Sequence, residues 1–107
     1  MQPAALAPDL LAALDEWRAW LGGARRAAAN TQRAYERDVQ DFLGFLNGHL
    51  GDAPDLKALE GLHVRDYRAW LARRAGNGVG AASRARGLAA VRGLMRHLAK
   101  RGLIAET

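Results

Sequence analysis

Two short segments, about fifty residues apart, combine hydroxyl groups and arginines at what we predict to be the starts of helices. The first is residues 30–35, Asn-Thr-Gln-Arg-Ala-Tyr, and the second is residues 83–92, which begins Ser-Arg-Ala-Arg. The start of a helix directs unpaired backbone N–H groups and a partial positive charge outward. With arginines added, such a start is suited to binding a phosphate. Two starts of this kind on one small chain predict a surface that grips a nucleic-acid backbone.

The charge of the chain supports that prediction. The net charge is +5, and 14 of the 16 basic residues are arginine. Arginine offers a planar fork of N–H donors that suits both phosphate and guanine. The alanine-rich composition explains part of the preference for arginine over lysine. It does not explain clustering, because residues 81–107 alone carry six basic side chains and one acid.

The composition also excludes several classes of protein. A chain of 107 residues, half of them apolar, is expected to form one domain over residues 1–107 with a real core. The chain has no cysteine, which excludes disulfides and fits a cytoplasmic protein. No apolar run approaches the length of a membrane span, and no signal peptide is recognised. The scattered residues His49, His63 and His97 predict no metal site, and no motif predicts a cofactor or a catalytic centre.

The periodicity of the apolar residues is helical throughout, and no alternating β pattern is present. Four helices are predicted, over residues 9–21, 30–50, 62–75 and 81–101. Asp9 and Asn30 are predicted to cap the first two. Short loops favour antiparallel neighbours, so the fold class predicted is all-α, a compact four-helix bundle.

Each predicted helix has an apolar stripe that should face the core. The stripes are Leu10, Leu14, Trp17 and Leu21; Tyr35, Val39, Phe42, Leu46 and Leu50; Val64, Tyr67, Trp70 and Leu71; and Leu88, Val91, Leu94, Met95 and Leu98. Most aromatic residues are therefore expected in the core rather than at a binding site.

Opposite its apolar stripe, the last helix carries a basic arc. We define the basic arc as Arg86, Arg92, Arg96 and Lys100, with the small residues Ala89 and Gly93 between them. Small residues let a helix backbone approach another surface closely, and the DNA major groove, roughly 12 Å wide, admits one helix. The arginines are therefore expected to stand clear of the core and of carboxylates. Single arginines elsewhere, such as Arg74, are expected to be solvated.

The second helix has a weaker polar face of the same kind. It includes Arg33, Arg37 and Gln40, whose side chains can pair with the edges of guanine and adenine. Asp38 and Asp41 on its flanks are expected either to dilute the positive charge or to form ion pairs within the helix.

Beyond these physical patterns, the order and spacing of several residues resemble the N-terminal core-binding domain of Xer-type tyrosine recombinases. The residues that carry the resemblance are Asn30-Thr31, Tyr35, Arg37-Asp38-Val39, Phe42-Leu43 and Leu46; Leu62, Val64-Arg65 and Trp70-Leu71; and Ser83-Arg84-Ala85-Arg86, Leu88-Ala89-Ala90-Val91-Arg92, Leu94 and Leu98. No one of these motifs is highly specific, but together they cover residues 9–104.

The resemblance implies a SAM-like fold that forms half of a clamp on duplex DNA, with the second and fourth predicted helices facing the major groove. It implies that Thr31 and Ser83 lie near DNA phosphates and that Arg84, Arg86 and Arg92 are basic contact positions. Its partners would be a double-stranded recombination site and other recombinase protomers, in the resolution of chromosome dimers. The catalytic domain of that family has no counterpart within these 107 residues, so this chain alone is not expected to cut or join DNA.

Two alternatives to the Xer-type interpretation remain open. The same domain occurs in integrases of phages and mobile elements, which this sequence separates poorly from the chromosomal type. The chain could instead be a helical module that binds another protein, and Leu11 and Trp20, which flank the stripe of the first helix, would then supply an apolar patch.

Overall fold

The regular structure of the described residues is entirely helical. The structure is a computed structural model, and it describes residues 5–23 and 28–105. Its helices are α1 (Pro8–Gly22), α2 (Ala29–Leu50), α3 (Leu56–Glu60), α4 (Val64–Gly76) and α5 (Ala81–Lys100). The described ranges contain no strand, and none of their helices has the length and apolarity needed to cross a membrane. The predicted all-α, SAM-like class is confirmed.

The four long helices are the four predicted, whereas the short helix α3 was missed. Residues 51–55 end α2 as expected, with Gly51 in the left-handed conformation at φ 81°. The chain then turns directly into α3, where the carboxylate of Asp55 accepts a hydrogen bond from the backbone N–H of Ala58 at 2.7 Å. Leu59 is the buried residue of this helix and faces the core. An aspartate cap followed by apolar residues three apart is the signal that could have revealed α3.

The predicted caps of α1 and α2 are wrong, because each observed N-cap lies two residues earlier, at Ala7 and at Ala28. Helix α1 starts at Pro8, whose fixed φ and missing N–H suit the first helical position, and its cap is Ala7. Asp9 therefore lies inside the first turn and bonds to the backbone N–H of Leu10 at 2.7 Å. Asn30 likewise lies inside α2, where its side-chain oxygen accepts a hydrogen bond from Arg33.

Helix α4 begins with a carboxylate that holds two neighbours. Asp66 accepts a hydrogen bond from the backbone N–H of His63 at 2.7 Å, and its other oxygen lies 2.8 Å from His49 Nε2 on α2. These contacts, the backbone hydrogen bond first, hold the pKa of Asp66 below its usual value against the opposing effect of burial. The start of α4 is thereby tied to the end of α2.

The core forms where α1, α2, α4 and α5 converge, and α2 packs most closely against α5. The stripe predicted for α1 is buried in full, and so are Val39, Phe42 and Leu46 of α2. Phe42 stacks on Tyr67 and meets the edge of Trp70, with ring centroids 5.5 and 5.0 Å apart. The aromatic residues of α2 and α4 are thus core residues, as predicted.

Two stripe residues are not inward as predicted. Leu50 is 42% exposed and Val64 is 64% exposed. Both lie at a helix end, in the last turn of α2 and the first turn of α4. Periodicity predicts which side of a helix faces the core, but it does not predict how far along the helix the neighbouring elements reach.

Candidate nucleic-acid interface

The nine residues predicted to contact DNA lie along the polar sides of α2 and α5, and we call them the candidate DNA surface. They are Thr31, Arg33, Arg37 and Gln40 of α2 and Ser83, Arg84, Arg86, Arg92 and Arg96 of α5. On α2, the side chains of Thr31, Arg33 and Arg37 are exposed and Gln40 is half-buried. The first turns of α2 therefore present a hydroxyl and two guanidinium groups to solvent.

The start of α5 differs from this open arrangement. The N-cap residue is Gly80, which has no side chain to accept a hydrogen bond from the helix. Ser83 and Arg84 are both half-buried in the first turn. Arg84 donates from Nη1 to the backbone carbonyl of Val79 in the preceding loop. The hydrogen bond fixes the loop against the helix start, and it leaves the other N–H groups of Arg84 available.

Arg86 is not free of carboxylates, and the expectation that it would be is wrong. Its Nε donates to Oδ2 of Asp38 at 2.8 Å, and its Nη2 donates to Oδ1 at 3.1 Å. Asp38 is only 3% exposed, whereas the side chain of Arg86 is 42% exposed. The hydrogen bonds to Asp38, followed by its charge, raise the pKa of Arg86 above its ordinary value. One edge of the guanidinium is therefore engaged with α2, while the side chain as a whole remains partly exposed.

The same carboxylate also binds a second arginine, from α4. Nη2 of Arg74 lies 3.3 Å from Oδ1 of Asp38, and its Nε lies 3.6 Å from Oδ2 of Asp41. The guanidinium stacks on the ring of Trp70, 5.0 Å from the centroid, and Trp70 Nε1 donates to Asp41 at 2.8 Å. Arg74 is thus buried, contrary to the prediction that it is solvated, because two carboxylates of α2 compensate its charge.

A glycine of α5 makes room for this buried arginine. A Cβ placed on Gly87 would lie 2.2 Å from Nη1 of Arg74 and 3.2 Å from the ring of Trp70. Nη1 of Arg74 is itself buried, with no hydrogen-bond partner among the described residues. The absence of a side chain at residue 87 therefore lets α4, α5 and the Asp38 carboxylate meet at one point.

Arg92 and Arg96, at the other side of the basic arc, are exposed and form no ion pair within residues 5–23 and 28–105. Together with Lys100 they border a groove of about 740 Å³ between α5 and the segment 59–67. Most of the residues that line the groove are apolar, among them Leu88 and Met95. All four basic residues of the basic arc are exposed, but its two sides have different neighbours. Arg86 lies beside α2, and Arg92 lies beside an open groove.

The apolar patch proposed for α1 is smaller than predicted. Leu11 is 49% exposed, but Trp20 is half-buried against His97 of α5, with ring centroids 4.9 Å apart. His97 is itself buried, and its Nε2 lies 3.8 Å from Glu16. Burial is the main cause that lowers the pKa of His97, and nearby Arg101 adds to it while Glu16 opposes it. Trp20 therefore belongs to the α1–α5 contact.

Sequence reasoning misjudged the surroundings of three residues in this region, Asp38, Arg74 and Arg86. The interpretation of Asp38 as a flanking charge or as one half of a pair within its own helix is wrong, since its partners lie on α4 and α5. The signal available in the sequence was the stripe spacing, because residues 35, 38 and 42 fall on one side of a helix. An aspartate within an apolar stripe indicates a buried acceptor that needs basic partners.

No group of three or more histidine or acidic side chains in the described ranges is arranged to hold a metal ion. The arrangement instead offers exposed cations, hydroxyl groups and helix starts, which are the groups that bind phosphates.

Comparison with known proteins agrees with the geometry. Residues 14–102 match the family described as "Phage integrase, N-terminal SAM-like domain". The chain is 52% identical, over 90% of its length, to tyrosine recombinase XerC of Brucella suis, and 44% identical, over 91%, to XerC of Mesorhizobium japonicum. A more distant relative, XerC of Rhodospirillum centenum, is 42% identical over 91% of the chain. No solved structure gives a significant match.

The chain spans 30%, 31% and 28% of the lengths of these three relatives. The match therefore concerns only part of each relative. Fold, polar surface and sequence similarity agree, and the chain belongs to the family of phage integrase N-terminal SAM-like domains, in the form found in XerC-type tyrosine recombinases.

Proposed function

We propose that this chain binds duplex DNA as the N-terminal domain of a XerC-like site-specific recombinase that acts in chromosome dimer resolution. The observation that carries the proposal is the contact between the early turns of the two polar helices, α2 and α5. The Asp38–Arg86 contact sets the second turn of α5 against the third turn of α2. At 1.5 Å per residue, Asp38 lies only about 10 Å along the helix axis from Thr31.

This arrangement supports DNA because of which charges remain available on it. Arg33, Arg37, Arg92 and Arg96 are exposed and have no carboxylate partner among the described residues. Thr31 adds a hydroxyl donor in the first turn of α2. Phosphate contacts of these types position a protein on a duplex, and the major groove is wide enough for one of the two helices.

The direct test is a titration of the 107-residue chain with a duplex at several salt concentrations. A protein that neutralises several phosphates loses affinity with a log–log slope near −0.9 for each phosphate. Arg92→Ala and Arg96→Ala should each weaken binding to all sequences and reduce the magnitude of the slope by about one contact. Affinity that does not change with salt would reject the proposal.

Lys57 provides the matched control for this titration. It is an exposed cation on the short helix α3, outside the candidate DNA surface. Lys57→Ala removes the same charge as Arg92→Ala, so it separates a local contact from an effect of net charge. If both variants weaken binding equally, the interaction depends on net charge and not on this surface.

A role in protein binding is the second candidate, and the groove is the specific observation that favours it. The groove is lined mostly by apolar residues, which include the exposed side chain of Val64. Exposed apolar surface of this kind often marks an interface with another protein. A chain that binds no duplex at low salt but is captured by a protein partner, and loses that partner on Val64→Asp, would favour this function over DNA binding.

A further inference from the structure

Resting on the proposed function, we infer that Arg86 reads a guanine in the major groove and that Asp38 is the positioning residue that aims it.

A guanidinium has five N–H donors in one plane. Asp38 occupies two of them, the Nε–H and one N–H of Nη2, at 2.8 and 3.1 Å. This is the side edge of the fork. Both N–H groups of Nη1 and the second N–H of Nη2 remain, and one from each nitrogen point together off the end of the group. The side chain of Arg86 is 42% exposed, and no hydrogen bond within the described residues uses this end edge.

The carboxylate that holds Arg86 is itself fixed. Asp38 is nearly fully buried, and its Oδ1 also lies 3.3 Å from Nη2 of Arg74, which stacks on Trp70. Its two oxygens are therefore engaged by two arginines from different helices. Arg86 is ordered before any ligand arrives, so less side-chain entropy is lost on binding than for a freely rotating arginine.

Two parallel donors on a fixed edge select among the bases. Guanine presents two neighbouring acceptors, O6 and N7, in the major groove. Adenine presents one acceptor beside an amino donor, cytosine presents an amino donor, and thymine presents one acceptor beside a methyl group. The open edge of Arg86 therefore complements guanine. Its other edge is closed to phosphate as long as Asp38 remains bound to it.

This assignment separates Arg86 from the other arginines of the candidate DNA surface. Arg92 and Arg96 are exposed and form no ion pair with a carboxylate of the described residues, which suits contacts with phosphates. Arg86 is positioned by a buried group, which suits a contact with one base. Losing a phosphate contact weakens binding to every sequence alike, whereas losing a base contact relaxes preference at one position.

The test is selection of bound duplexes from a random-sequence pool by the 107-residue chain, compared with Arg86→Lys and the matched control Arg92→Lys. Lysine keeps the charge at residue 86 but has no planar fork. The wild-type pool should contain a position dominated by guanine. Changing that guanine in a selected duplex should weaken wild-type binding by roughly 5- to 150-fold. The Arg86→Lys variant should lose this preference, and Arg92→Lys should keep it.

Asp38→Asn tests the positioning role. It should weaken preference at the same base pair, without shifting preference elsewhere, in a variant whose folding is confirmed by circular dichroism. If this variant does not fold, Arg86→Lys decides the assignment alone. A guanine preference that survives Arg86→Lys, or a wild-type pool with no preferred guanine, would overturn the inference while leaving duplex binding intact. Failure of the wild-type chain to bind any duplex would instead remove the proposed function itself.

Discussion

Removal of the buried carboxylate of Asp38 should destabilise the fold more than removal of any exposed acid. In Asp38→Ala, Arg74 stays buried and keeps only the carboxylate of Asp41, at 3.6 Å. Breaking a buried ion pair by removing one partner costs about 3–5 kcal/mol. Because Asp41 is half-exposed and partly compensates Arg74, we expect the lower end of that range. Arg86 is exposed enough to be hydrated, so losing its pair adds less than about 1 kcal/mol.

The assay is urea and thermal unfolding followed by circular dichroism, with Asp15→Ala as the control. Asp15 forms an exposed pair with Arg18 at 3.1 Å, and its removal should cost less than about 0.5 kcal/mol. A loss of about 3 kcal/mol lowers the melting temperature of a domain of this size by roughly 12–24 °C. Asp38→Leu combined with Arg74→Met should recover most of the loss, because it removes the buried charge on both sides.

An Asp38→Ala variant whose free energy of unfolding lies within about 1 kcal/mol of wild type would refute this reasoning. It would mean that the guanidinium of Arg74 reaches water when its partner is removed. The burial of Asp38 and Arg74 would then contribute neither stability nor rigidity. Arg86 would in that case not be held in place before DNA binds.

Three further predictions concern single positions. Gly87→Ala should destabilise the fold by about 1–2 kcal/mol, because the new Cβ would overlap Arg74. Gly93→Ala should stabilise α5 by about 0.5–1 kcal/mol, because a Cβ there meets no other atom. Urea unfolding of both variants measures these two changes. Burial lowers the pKa of His97, so below pH 6.5 its side chain takes up a proton more readily in the unfolded chain than in the folded one. The free energy of unfolding should therefore fall from pH 7 to pH 5, by at most about 1.4 kcal/mol per pH unit. His97→Phe should flatten that slope. Asp66 also has a lowered pKa, and because it is an acid its contribution to stability is complete above about pH 4 and is lost as the pH falls further. Asp66→Asn should lower the free energy of unfolding by about 1 kcal/mol at pH 7. It should also reduce the pH dependence of that free energy below pH 4.

The helices and the family were readable from the sequence because both depend on local order. Apolar spacing alone located the stripe Leu10, Leu14, Trp17 and Leu21, which is buried in full. The polar helix starts were found at Thr31 and Ser83, and the nine contact positions remain predictions. Helix α3 was missed because its five residues show the apolar spacing only once, from Leu56 to Leu59, and because the capping role of Asp55 was not recognised.

The surroundings of the arginines depended on the tertiary structure. Arg74, Arg86 and Arg92 were all expected to be exposed and clear of carboxylates, yet Arg74 is buried, Arg86 is held by Asp38, and Arg92 borders an open groove. The physical reason is that ion pairing across helices depends on how α2, α4 and α5 cross, and the crossing depends in part on the space that Gly87 leaves. Sequence spacing determines which residues share a face of one helix, whereas only the packed bundle decides which charges meet.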